Sequence, residues 1–244
     1  MQAALAQANL VKHIKENSYP GRGIVVGRDV DGNWIQVYWI MGRSENSRNR
    51  IFLEEETILR TEAADPAKID DPSLIIYNAM RICNKSFIVG NGLQTDALWV
   101  GFEKGESFYD VLQSWEYEPD APNFTPRISA CIDLNKEAGS LWLSILKKDS
   151  FQKGGTERLF FTYDFIEPGF GYALTTYESD GNPLPSFQGN PYLVPMSFSN
   201  IADIADLYWK SLDENNKISI AVRSIRMNDH KYHTHVINRF TSAM

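Results

Sequence analysis

Hydrophobic positions along most of this chain come in short runs of strand length bounded by turn residues, and helical spacing is confined to three places. The first is 1–17, an amphipathic stretch whose apolar positions are interrupted by Gln and Asn. The second is 105–115, where Phe108, Val111, Leu112 and Trp115 share one helical face and Pro119 forbids continuation. The third is capped by Ser199 or Asn200 and carries a stripe of Ile201, Ile204, Ala205, Tyr208 and Leu212. Strands are predicted over 23–30 and 34–41, joined through Asp31-Gly32 as a tight hairpin in which both central residues take positive φ. Strands over 74–83 and 86–90 flank Asn84-Lys85, and others follow at 127–134, 140–146, 159–166, 171–177 and 217–225. The segment 51–64 reads as one more strand and a turn. Asp65-Pro66 and Asp71-Pro72 bracket a surface loop, and Asn91-Gly92 marks a turn. Between 178 and 200, Pro183, Pro185, Pro191 and Pro195 stiffen a long loop suited to cover a site.

Many strands with few helices predict the α+β class, with two mainly antiparallel sheets and flanking helices. No repeat, low-complexity tract or linker divides the chain. Residues 1–244 therefore read as one domain, with a helical extension at 1–17 and a proline-rich loop at 178–200.

Composition narrows the class. A chain of 244 residues with 43% hydrophobic and 12% aromatic content can bury a core of ordinary globular type. Its apolar runs fall far short of the ~20 residues of a membrane span. A formal net charge of -7 argues against a sequence-independent grip on nucleic acid. The two cysteines, Cys83 and Cys131, each lie in an apolar strand run, which suits buried thiols in a reducing compartment rather than a disulfide framework. The first 17 residues lack the basic segment of a signal peptide, and a cytoplasmic protein is expected.

The charge is unevenly placed. Six of the 12 arginines, namely Arg22, Arg28, Arg43, Arg48, Arg50 and Arg60, fall between positions 22 and 60, with Ser44, Asn46, Ser47 and Asn49 packed among three of them. Guanidinium forks beside hydroxyls and amides suit an anion such as phosphate, because each fork donates two parallel charge-assisted bonds. A solvated polar turn is the competing reading on composition alone. A basic loop on an acidic body points to a small anionic ligand. His230, His233 and His235 carry no comparable signal: on a strand His230 faces away from the other two, and no acidic or cysteine partner stands at metal spacing, so no metal site is assigned.

Several short strings, taken in order, resemble the IMP cyclohydrolase family first described in archaea. They are Gly21-Arg22, Arg43-Ser44, Asn49-Arg50, Tyr77-Asn78, Asn91-Gly92, Thr95-Asp96, Tyr117-Glu118 with Asp120, and Thr125-Pro126-Arg127-Ile128. The resemblance spans 19 to about 134. It implies a four-layer αββα sandwich like that of the N-terminal nucleophile hydrolases. It also implies closure of a formamido-imidazole-carboxamide ribonucleotide to IMP with loss of water, the last step of purine synthesis, without a cofactor. The residues before Tyr19, the loop at 45–48 and the region 150–199 are longer here than that family suggests.

In that reaction a carboxamide nitrogen attacks a formyl carbon of the same molecule, so the substrate supplies much of the proximity itself. The protein must hold the phosphate, move protons and stabilise an oxyanion. The resemblance assigns Arg22, Arg43, Ser44, Asn49, Arg50, Tyr117 and Arg127 to substrate binding. Structural pairing of the arginines with Asp29 or Glu45 is the alternative. Glu118, in the carboxylate cluster with Glu116 and Asp120, is expected to transfer protons. Tyr77, Asn78 and Asn91 are expected to serve the oxyanion, and Asp96 to orient Arg127 or a substrate hydroxyl, or to cap a short helix. Asn91 also fits a plain turn. Two other functions remain open: a purine-nucleotide-binding protein without catalysis, and an amide hydrolase on the same fold. Against the latter, Met1-Gln2 offers no nucleophile, and cutting at Cys83 or Cys131 would break a strand. A homo-oligomer is compatible with every reading.

Overall fold

The computed structural model describes residues 1–68, 72, 75–135, 139–152 and 154–240. Among these, thirteen strands form two antiparallel sheets. The first contains β1 (Gly23–Arg28), β2 (Trp34–Met41), β10 (Phe170–Thr175), β11 (Tyr192–Pro195), β12 (Lys217–Ile225) and β13 (Tyr232–Asn238), in the order β11-β10-β1-β2-β12-β13. The second runs in chain order through β3 (Ile51–Glu55), β4 (Ile58–Glu62), β5 (Asn78–Cys83), β6 (Ser86–Gly90), β7 (Arg127–Asp133), β8 (Ser140–Lys148) and β9 (Thr156–Tyr163).

The period of two along each strand explains the packing. Val89, Ile128, Ala130, Leu143 and Ile145 join Ile24, Val26, Tyr38 and Phe52 in one cluster between the sheets. Ile88, Cys131 and Leu146, of the opposite parity, pack instead against Leu98 of α3 (Gln94–Glu103) and against Phe108 and Leu112 of α4 (Phe108–Leu112). Strand β2 is buried at all eight positions, because it is covered on both faces. Tyr38 meets Tyr77, just before β5 of the second sheet, whereas Trp39 stacks on Tyr208 of α5 (Ile201–Ser211). Helix α1 (Gln2–Leu10) continues through a wider turn at Val11–Lys15, and buries Ala6, Leu10 and Ile14 at spacings of four beside β11. No helix among the described residues is long and apolar enough to cross a membrane.

The structure corrects several boundaries. The β1–β2 connection is longer than a two-residue turn: Asp29 N–H donates to Asn33 O, and Gly32 is the residue with positive φ, at 83°. The buried Asp29 carboxylate accepts from Asp31 N, Asn33 N and Asn33 Nδ2, so the aspartate builds the turn itself. The segment 51–64 is a full hairpin, β3–β4, rather than one strand. Helix α3 follows the Asn91-Gly92 turn, with Asp96 in its first turn rather than at its cap, and the 105–115 helix shortens to α4. The 178–200 segment contains β11, and β13 follows β12. His230 lies before β13 at positive φ rather than on a strand. The expected start of a strand at Leu74 and the Asp71-Pro72 turn fall partly outside the described residues.

Candidate active site

One cleft of about 340 Å³ opens where the N-terminal ends of β1 and β5 meet the loops after β2 and β10. Its walls include Tyr19, Arg22, Arg43, Ser44, Ser47 and Arg50 from the arginine-rich stretch, with Asp120, Thr125 and Tyr177 opposite. Gly21 makes the approach of the two halves close. At φ 74°, a Cβ there would lie 2.2 Å from Thr176 Oγ1 and 2.4 Å from the Tyr177 ring.

Arg50 is buried two residues past a four-residue helix, α2 (Glu45–Arg48), where sequence suggested only a loop. Ser44 and Ser47 close a reciprocal capping box that shapes this segment. Arg50 donates from Nε to Ser47 O at 2.8 Å and from Nη2 to Met41 O at 3.0 Å. Its Nη1 and the Oδ1 of Asn46, both buried in residues of the cleft wall, have no hydrogen-bond partner among the described residues. Burial, then the neighbouring Arg22 charge, push the Arg50 guanidinium below its ordinary value. An anion in the cleft would relieve both penalties.

Arg22 is paired from behind. Its Nη1 donates to Glu118 Oε2 at 2.9 Å, and Arg127 Nη1 stands 3.8 Å from the other carboxylate oxygen. Burial pushes the Glu118 carboxyl above its usual range, against the opposing pull of Arg22 and Arg127. Burial works against the Arg22 charge too, but the Glu118 carboxylate and the hydroxyls of Tyr77, Tyr38 and Tyr177 hold it well above its ordinary value. Tyr38 and Tyr77 share a hydroxyl contact of 2.6 Å beneath these two arginines. Opposite them, the Tyr177 hydroxyl lies 2.5 Å from Thr125 Oγ1, and Thr125 donates in turn to Asp120. Burial, resisted by Arg22, keeps the Tyr177 phenol protonated well above its ordinary value.

A strap from the 178–200 segment roofs the cleft. Arg43 pairs with Asp180, donates to Gly181 O at 3.0 Å and covers the Tyr19 ring, and Leu184 enters the wall. The predicted pairing of the arginines with Asp29 or Glu45 is not seen: their carboxylate partners are Glu118 and Asp180.

The remaining candidates separate by distance from the cleft. Arg22, Arg43, Ser44 and Arg50 line it, whereas Glu118, Tyr77 and Arg127 form the layer behind. Asn91 is fully engaged: it donates to Pro126 O and accepts from Gln94 Nε2 and Ile128 N, so it braces the β6–α3 turn. Gln94 passes that bracing to Arg127 at 3.0 Å. Asn49 is tied to both backbone groups of Asp65, and the Tyr117 ring packs edge-on against Phe124. Asn78 and Asp96 stand apart from the cleft: Asp96 pairs with Arg81 at 2.5 Å and accepts from Asn78, rather than orienting Arg127. Cys83 and Cys131 are free thiols on the α3–α4 side of the second sheet. Among the described residues no group of three His, Cys, Asp or Glu is placed to hold a metal. Tyr177 and Tyr38 carried no signal in the sequence, since only the β1–β10 and β1–β2 registers bring them to Arg22.

The sequence model of the IMP cyclohydrolase-like protein family matches residues 19–230, which contain this entire cleft. The chain belongs to that family. It is 31% identical over 176 residues to the IMP cyclohydrolase of Methanocaldococcus jannaschii, spanning 70% of this chain and 80% of that one. With the IMP cyclohydrolase of Methanopyrus kandleri the identity is 29% over 163 residues, spanning 65% and 75%. Helix α1 precedes the matched region.

Proposed function

We infer that this protein is an IMP cyclohydrolase of purine nucleotide biosynthesis, closing the formamido-imidazole-carboxamide ribonucleotide to IMP with loss of water. The observation that carries the site assignment is the buried Arg50 in the wall of the cleft beside Arg22, with its Nη1 lacking a hydrogen-bond partner among the described residues. In this reading the phosphate takes the Arg50 Nη1 and the Arg43 guanidinium, with Ser44 and Ser47 at its edge. The purine-forming ring lies between the Tyr19–Tyr177 stack and Arg22. Arg22 offers its positive charge to the formyl oxygen as that oxygen becomes anionic, the interaction that counts most in acyl chemistry. Glu118 is held off the cleft by Arg22, and its part is to fix that guanidinium while Arg127 fixes Glu118. The helix-on-sheet packing supports a four-layer αββα sandwich like the N-terminal nucleophile hydrolases, in a single domain over 1–244. Two buried free thiols favour a cytoplasmic setting.

The test is absorbance of purified protein mixed with the formamido ribonucleotide, followed as the purine chromophore grows in. Rapid conversion supports the reading. Saturable IMP binding with no conversion would leave a nucleotide-binding protein in its place.

A further inference from the structure

Three wall residues of the cleft are linked into one chain of hydroxyl and carboxylate groups. Tyr177 reaches Thr125 Oγ1 at 2.5 Å, Thr125 Oγ1 donates to Asp120 Oδ2, and Asp120 Oδ1 accepts from Thr125 N at 2.6 Å. We propose that Tyr177 is the group that takes and returns the proton during ring closure, passing it through Thr125 to Asp120. This rests on the cyclohydrolase reading and assigns its proton transfer.

Hydrogen counting sets the direction. An ionised carboxylate only accepts, and a threonine hydroxyl has one hydrogen. With that hydrogen committed to Asp120, Thr125 must accept from Tyr177. The Tyr177 oxygen then faces the cleft with lone pairs alone, as an acceptor suited to a carboxamide N–H. Glu118 cannot fill this place, because it lies behind Arg22 and already accepts from it.

The steps balance. The carboxamide nitrogen forms a bond to the formyl carbon, and the carbonyl π pair moves onto oxygen beside Arg22. The proton released by that nitrogen goes to Tyr177, the Tyr177 proton to Thr125, and the Thr125 proton to Asp120. Every hydrogen bond in the chain now runs the other way, and Tyr177 has become a donor toward the cleft. It protonates the new alkoxide, and Asp120 returns to its ionised form. The carbon–oxygen bond then breaks as the formamide nitrogen gives up its proton and its electron pair closes the ring double bond. The oxygen leaves with both protons as water. Arg22 opposes any build-up of positive charge on the relay and favours the anionic intermediate. Tyr177 touches the reacting atoms in this scheme; Thr125 and Asp120 act through it.

Thr125→Val removes the hydroxyl at nearly constant volume, and Thr125→Ser keeps it. The variants are compared in steady-state ring closure and in IMP affinity by calorimetry. The expected result is a kcat about 10²- to 10³-fold lower for the Val variant, with IMP affinity within about threefold of wild type. The Ser variant should recover kcat to within about fivefold of wild type. The relay is overturned if the Val variant keeps kcat within about threefold, or if Val and Ser variants lose kcat and affinity together, as a packing role would require. Wild-type protein that binds IMP without closing the ring removes the reaction and the relay with it. That outcome is distinct from an active wild type with an equally active Val variant, which removes the relay alone.

Discussion

Arg22 Nη1 and Glu118 Oε2 lie 2.9 Å apart, and the pair divides the site into a wet side and a dry side. The guanidinium lines the cleft, and the carboxylate behind it is 2% exposed. A charge pair at such a boundary makes the inner partner a device for aiming the outer one.

Glu118→Gln keeps the shape and a hydrogen-bond acceptor but removes the counter-charge. The expected result is a kcat about 10²-fold lower with IMP affinity little changed, measured by ring-closure kinetics and calorimetry. Glu118→Ala should also lower stability, because two guanidiniums lose their carboxylate; about 3–5 kcal/mol is expected from urea unfolding.

Arg50→Lys tests the phosphate contact. Lysine cannot reach Ser47 O, Met41 O and an anion together, as the guanidinium fork does. Loss of one charge-assisted bond of about 1.5–3 kcal/mol predicts a KM for the ribonucleotide about 10- to 100-fold higher. An unchanged KM would place the phosphate elsewhere.

Asp96→Asn separates the cleft from its surroundings. Asp96 engages Arg81 and Asn78 away from the cleft wall, so turnover should stay within about threefold of wild type. Stability should fall by about 1 kcal/mol or less, as for other partly exposed pairs. A large loss of kcat would restore a catalytic part to Asp96.

Gly21→Ala meets Thr176 and the Tyr177 ring and forces a left-handed backbone on alanine. The cost should be about 1–3 kcal/mol in urea unfolding. Because the Tyr177 ring must move aside, kcat should fall as well.

His13 stacks on Tyr192 at 4.4 Å, with Lys12 and Glu178 nearby. Burial, aided by Lys12, lowers its pKa below 6.5, so the folded protein prefers the neutral ring. As pH falls, the unfolded chain takes up the proton first. The His13 contribution to stability is therefore complete above 6.5 and declines as pH drops through the lowered folded value. Melting temperatures measured from pH 7.5 to 5.5 should fall less steeply for His13→Phe than for wild type.

The strands were legible because they are short apolar runs, buried on both faces as at β2 and β12 and bounded by turn residues, and the basic half of the cleft was legible because Arg43, Ser44 and Arg50 are neighbours in sequence. Helix α3 was hidden for a physical reason: its buried face begins with Gln94 and Thr95, and Gln94 braces Asn91 and Arg127 instead of joining an apolar stripe. Strand β13 was hidden because Tyr232, His233, His235 and Asn238 give an edge strand too little apolar alternation. Of the opposite wall, Asp120 and Thr125 stood in the matching strings, whereas Tyr177 gave no signal at all. Tyr177 is more than 150 positions from Arg22, and only the pairing of Gly23 with Thr175 makes them neighbours.

The Arg43–Asp180 contact links the roof to what the cleft holds. With the phosphate assigned to Arg43, Asp180 becomes a tethered competitor, a carboxylate whose short leash keeps it at high local concentration beside the guanidinium it must share. On that assignment an arriving phosphate would have to displace Asp180 from the guanidinium. On the same assignment the strap would shorten the stay of a bound product, and added salt, which screens this exposed pair, would weaken its grip.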